Sequence, residues 1–83
     1  MNNDEIKKLE EEIITFARGI LPKSKQDIVI QSDTDLKNEL YLDSFNFAEL
    51  FFYIEEVYNV NLIGRRVEKY TPHGLALEVA KYV

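Results

Sequence analysis

Leu40-Tyr41-Leu42-Asp43-Ser44-Phe45-Asn46-Phe47-Ala48-Glu49-Leu50 joins a polar, charged loop to the most apolar segment of the chain. Beyond Ser44, Phe47, Leu50, Phe51, Ile54, Val57 and Tyr58 recur at three- and four-residue spacing, which predicts a helix from Asp43 or Ser44 to about Tyr58. Those residues form its inward face, and Phe45 is expected to anchor the first turn. Glu49, Glu55 and Glu56, joined by Asn46, take the outward side. Phe52 and Tyr53 make the apolar stripe wider than a simple amphipathic helix needs. The expectation is a central helix that touches more than one neighbour.

Upstream, Ile6, Leu9, Ile13, Phe16, Ala17, Ile20 and Leu21 keep helical spacing over about Asp4 to Leu21. Asn3 suits the N-cap, Asp4 and Glu5 suit the positive end of the dipole, and Gly19 and Pro22 mark the end. Pro22 to about Asp43 reads as a long ordered loop, pinned by Ile28-Val29-Ile30 and by one helical turn holding Leu36 and Leu40. A loop of this length in a small domain tends to be functional.

Downstream, Asn59-Val60-Asn61 breaks the second helix, and Arg65 to Tyr70 reads as a short segment with Val67 and Tyr70 inward. Thr71-Pro72 restarts a helix as N-cap and first helical residue. Leu75, Ala76, Val79 and Ala80, with Tyr82 or Val83, then supply an inward stripe. The fold class is all-α: a four-helix antiparallel bundle of three long helices and one short. Its long loop lies between helices 1 and 2, in a single domain spanning 1–83.

An 83-residue chain buries a modest core, which argues against a deep enzymatic cleft. It has no cysteine, so disulfides and thiolate chemistry are excluded. The net charge of −5 is local: Asp33 to Glu56 holds seven acids and one base, and the rest nearly balances. Such a surface repels phosphate backbones and disfavours nucleic acid, whereas a basic patch on another protein suits it. The N-terminus lacks the pattern of a signal peptide, and no apolar run approaches the roughly 18–20 residues of a membrane span. The chain reads as soluble, cytoplasmic and monomeric.

Few residues carry chemistry. His73, the only histidine, has no companion in sequence and reads as a surface residue. A calcium loop starting at Asp33 would need Gly at its sixth position and Glu at its twelfth, where Asn38 and Ser44 stand. No glycine-rich phosphate loop is present. Ser44 has two readings. It is an ordinary N-cap, or Asp43 caps and the Ser44 hydroxyl points outward where a helix start favours an attached phosphate.

Leu40 to Leu50 resembles the attachment motif of acyl carrier and peptidyl carrier proteins, Leu-Gly-x-Asp-Ser-Leu followed by an amphipathic helix. Glu49-Leu50, Ile54-Glu55-Glu56, Leu36 and Thr71 with the final helix extend the resemblance over nearly the whole chain. It implies that Ser44 carries 4′-phosphopantetheine as a phosphodiester, added from coenzyme A by a phosphopantetheinyl transferase with Mg²⁺ that Asp43 helps to hold. The protein would then be no enzyme but a carrier of acyl or aminoacyl thioesters. Phe45, Glu49, Glu55 and Glu56 would meet loading ligases and synthases with basic docking patches. Phe47, Phe51, Ile54 and Val79 are either ordinary core or the lining of a cavity for an apolar chain. Tyr41 stands for the usual Gly, Phe45 for the usual Leu or Met, and Asn46, Arg65 and Arg66 where fatty-acid carriers are often acidic. The resemblance thus implies the attachment chemistry and leaves the pathway open among fatty-acid, polyketide and related biosynthesis. D-alanine and peptidyl carriers remain alternatives, as does an unmodified acidic interaction module.

Overall fold

Three α-helices account for most of the chain in a computed structural model that describes residues 3–40, 42–62, 67 and 69–81. Helix α1 spans Asn3–Ile20, with Leu9, Ile13 and Ala17 buried along one face and Asp4 and Glu5 in its first turn. Its last carbonyls are left without intrahelical donors, as at any helix end. Gln26 meets that need: its Nε2 donates to the carbonyls of Arg18 (3.0 Å) and Leu21 (2.7 Å), while Arg18 Nη1 donates to the Gln26 carbonyl at 2.7 Å.

The connection that follows is ordered, as expected. It opens with a 3-10 turn at Lys23–Lys25 and then buries Ile30, with Ile28 half-buried and Val29 exposed. Thr34 is buried, its hydroxyl accepting from the Gln31 N–H at 2.8 Å. Leu36 and Leu40 are fully buried on a single helical turn closed by Glu39 N–H to Asp35 carbonyl (2.8 Å). Two bonds fasten this loop to the C-terminal third: Leu36 N–H to the Tyr70 carbonyl (2.8 Å) and His73 N–H to the Ser32 carbonyl (2.9 Å).

Helix α2 spans Ser44–Tyr58 and ends at Asn59, whose left-handed backbone (φ 54°, ψ 46°) suits a short polar side chain. Helix α3 spans Pro72–Ala80, with Thr71 as N-cap accepting from the Gly74 N–H and Pro72 at its start. Leu75, Ala76 and Val79 are completely buried, and buried Glu78 pairs with Lys81 at 3.2 Å.

Several expectations need correction. Val67, Lys69 and Tyr70 are not helical, and the rest of the expected short helix, including Arg65 and Arg66, lies outside the described residues, as do Tyr41, Tyr82 and Val83. The described residues therefore form an all-helical fold of three helices without strands. The shared neighbour is α1, which packs on α3 and on α2. Helix α2 touches more than one neighbour, Tyr53 meeting Phe16 of α1 and Phe47 and Phe51 meeting Tyr70, but the residues that widen its stripe are largely exposed: Phe45, Phe52, Tyr53 and Val57. Phe45 lies about 140–180° around the helix from buried Leu50 and Ile54, so it cannot anchor the first turn. Buried Leu42 and half-buried Phe47 do so instead. Val57 sits at the edge of the inward stripe, where no described element covers it.

Candidate functional site

The start of α2 shows how the local sequence divides its tasks. Asp43 has extended backbone (φ −87°, ψ 179°), and its Oδ1 accepts from the Asn46 N–H at 2.8 Å. Asn46 answers with Oδ1, which accepts from the Asp43 N–H at 3.2 Å. This reciprocal capping box satisfies two backbone donors without help from Ser44. Ser44 is the first residue of the helix, exposed, and its hydroxyl makes no hydrogen bond among the described residues. The two readings of Ser44 are thereby separated: Asp43 caps, and the serine side chain is unengaged. A phosphate ester at Ser44 Oγ would meet a helix start, where backbone N–H groups and the dipole favour negative charge.

The expected docking residues do not share one environment. Phe45 and Glu56 are exposed and Glu49 is half-buried. Glu55 is half-buried, and its Oε2 accepts from the Leu62 N–H at 2.7 Å, so it orders the chain after α2. Behind the helix start, the ring of Tyr70 meets Phe47 edge-on at 5.2 Å and stacks on Phe51 at 6.5 Å. Lys37 Nζ lies 5.8 Å from the centre of the same ring. Ile54 and Val79 are fully buried core, and Phe47 and Phe51 pack against that core.

Sequence reasoning missed a partner for His73. Its Nδ1 lies 2.5 Å from Oε1 of Glu10 on α1, a residue 63 positions away. The pair ties the start of α3 to α1. It supplies the orienting carboxylate that a histidine base requires, yet no described hydroxyl is hydrogen-bonded to the ring. Neither Ser44 nor Ser32, which shares a shallow cleft with His73, is bonded to the imidazole.

In the loop, the Asp35 carboxylate accepts from the N–H groups of Lys37 and Asn38 (both 3.0 Å) and from Asn38 Nδ2 (2.9 Å). The Asn38 bonds first, then Lys37, hold its carboxyl below the ordinary carboxylate value. Its oxygens are thus occupied by donors of its own turn. Among the described residues, no group of three or more His, Asp or Glu is placed to hold a metal ion, and no helix is long and apolar enough to cross a membrane. Comparison with family models, curated proteins and solved structures gave no match to this chain.

Proposed function

We propose that this chain is a carrier protein, with 4′-phosphopantetheine attached to Ser44 and acyl or aminoacyl groups held as thioesters on the thiol of that arm. The observation that carries the reading is the free, exposed Ser44 hydroxyl beside an Asp43 already engaged as cap. The residues present fit the group: Ser44 Oγ is open to a transferase, and the start of α2 offers donors to a phosphate. In the modification, Ser44 Oγ bonds to the pantetheine phosphorus of coenzyme A, its proton leaves, and 3′,5′-ADP departs. The second carboxylate oxygen of Asp43 is not used by the cap and remains open to Mg²⁺ in the joint site with the transferase. Fatty-acid, polyketide or related synthases, and the ligases that load them, are the partner class. An aminoacyl-loading ligase of the D-alanine or peptidyl carrier type fits the same attachment chemistry.

A second reading is an unmodified acidic interaction module, favoured by the apolar outer side of α2. Intact-mass analysis after incubation with coenzyme A and a broad-specificity phosphopantetheinyl transferase separates the two. The carrier reading expects a gain of one phosphopantetheinyl group in the wild type and none in Ser44→Ala. An unchanged wild-type mass, or an equal gain in the variant, would sink it.

A further inference from the structure

Two shallow clefts of about 380 and 330 Å³ open where the long loop lies against the segment entering α3. Both are lined by Asp33, Lys69 and Thr71. Two backbone bonds hold their walls together: His73 N–H to the Ser32 carbonyl at 2.9 Å, and Leu36 N–H to the Tyr70 carbonyl at 2.8 Å. Asp33 follows Ser32 and Lys69 precedes Tyr70, so each charged residue stands next to an anchored one. The bond from Gln31 N–H to Thr34 Oγ1, at 2.8 Å, fixes the other flank of Asp33.

Most charged groups around these clefts are committed elsewhere. The Asp35 carboxylate is taken up by donors of its own turn. The His73 imidazole is tied to Glu10, and Lys37 Nζ lies over the Tyr70 ring. Asp33 and Lys69 are different. Both are exposed, both line both clefts, and their side chains are paired neither with each other nor with any other described group. The Thr71 hydroxyl accepts from the Gly74 N–H at 2.9 Å, which leaves its own proton to donate. One unengaged anion, one unengaged cation and a hydroxyl donor therefore share one concave surface.

That combination selects the charge of a ligand. An isolated anion drawn to Lys69 would also meet Asp33, and an isolated amine drawn to Asp33 would also meet Lys69. A metal ion lacks a ligand set, since among the described residues no group of three or more His, Asp or Glu is placed for one. A molecule carrying both signs answers both side chains, and volumes of this size suit a small ligand. We infer that the surface between the loop and the start of α3 binds a free α-amino acid as its zwitterion. The ammonium meets the Asp33 carboxylate, and the carboxylate meets Lys69 Nζ and the Thr71 hydroxyl. The site is noncovalent and does not rest on the Ser44 reading: the mass assay tests attachment, and the following titration tests the clefts.

The isotope-labelled wild-type chain is titrated at constant ionic strength with glycine, N-acetylglycine and glycinamide while backbone amide shifts are recorded. Glycine should give saturable shifts centred on Ser32, Asp33, Lys69, Thr71 and His73. Half-saturation is expected at roughly 1–50 mM, as suits two solvent-exposed ion contacts. N-acetylglycine lacks the ammonium and glycinamide the carboxylate, so each should bind at least about threefold more weakly. Asp33→Asn should abolish the preference for glycine over N-acetylglycine and keep that over glycinamide, and Lys69→Gln should do the converse. Both residues are exposed, so these variants should melt with the wild type, and the three-compound comparison on the wild type decides the matter without them. Equal binding of the three compounds, shifts centred elsewhere, no saturation by glycine, or unchanged preferences in folded variants would overturn the inference.

Discussion

Gly19 and Gly74 are both helical glycines, and replacing each by alanine should move stability in opposite directions. A Cβ at Gly19 would meet nothing within 4 Å. Gly19→Ala should therefore gain most of the helix-propensity difference, about 0.5–1 kcal/mol, less any loss from lying near the helix end. At Gly74 the added carbon would stand 2.3 Å from the Lys69 carbonyl oxygen and 3.1 Å from its carbonyl carbon. These are backbone atoms, so relief requires the 69–71 segment or the start of α3 to move by nearly an ångström. That segment is held by Leu36 N–H to the Tyr70 carbonyl at 2.8 Å and by the Thr71 cap on the Gly74 N–H at 2.9 Å. Overpacking costs about 1–3 kcal/mol, and a weakened hydrogen bond about 0.5–1.5 more. After the propensity gain is subtracted, a net loss of about 1–3 kcal/mol remains. In a domain of this size each kcal/mol shifts the melting midpoint by about 4–8 °C. Thermal melts followed by far-UV circular dichroism, with urea titrations as a check, should show Gly74→Ala about 5–20 °C below the wild type and Gly19→Ala slightly above it. A Gly74→Ala variant as stable as Gly19→Ala would refute the close approach of the 69–71 segment to α3.

Asp43→Ala removes the acceptor for the Asn46 N–H and should cost about 0.5–2 kcal/mol in urea titration, while Ser44→Ala should be close to neutral. Glu55→Ala leaves the N–H of fully buried Leu62 without its carboxylate partner and should destabilise by about 1–3 kcal/mol on the same assay. Asp35 has a folded-state pKa below its ordinary value, so its stabilisation is present above that ordinary value and is lost as pH falls through the lowered one. Acid titration below about pH 4 should thus show a shallower fall in stability for Asp35→Ala than for the wild type.

What the sequence revealed was what neighbouring residues decide. The cap at Thr71, the turn holding Leu36 and Leu40, and the ends of α2 all depend on groups within about one helical turn and are legible, whereas the sequence leaves the cap of α2 open between Asp43 and Ser44. Asn46 as the returning half of the capping box could also have been read, since Asp and Asn stand three apart just before an apolar run. Periodicity was less informative about cover. It groups Val57 with Leu50 and Ile54, but burial also requires a neighbouring element, and no described element covers the edge where Val57 lies. Hydrophobicity alone does not bury Phe45, because its angle on the helix puts it opposite Leu50 and Ile54. The contacts of Glu10 with His73 and of Glu55 with Leu62 N–H come from tertiary approach or an irregular turn, which residue type does not announce.

The two backbone bonds that fasten the loop, Ser32 to His73 and Leu36 to Tyr70, join parts of the chain remote in sequence. The loop and the C-terminal segment are thus tied at two points, and exchange protection of the Leu36 and His73 N–H groups should fall when either partner segment is loosened. Ser44 follows directly on that loop. Its hydroxyl is at the surface, but the direction from which α2 is entered is guarded by the integrity of α3. Damage in the last dozen residues would therefore register at Ser44 as a more mobile approach to the helix, with no change in the serine or its neighbours.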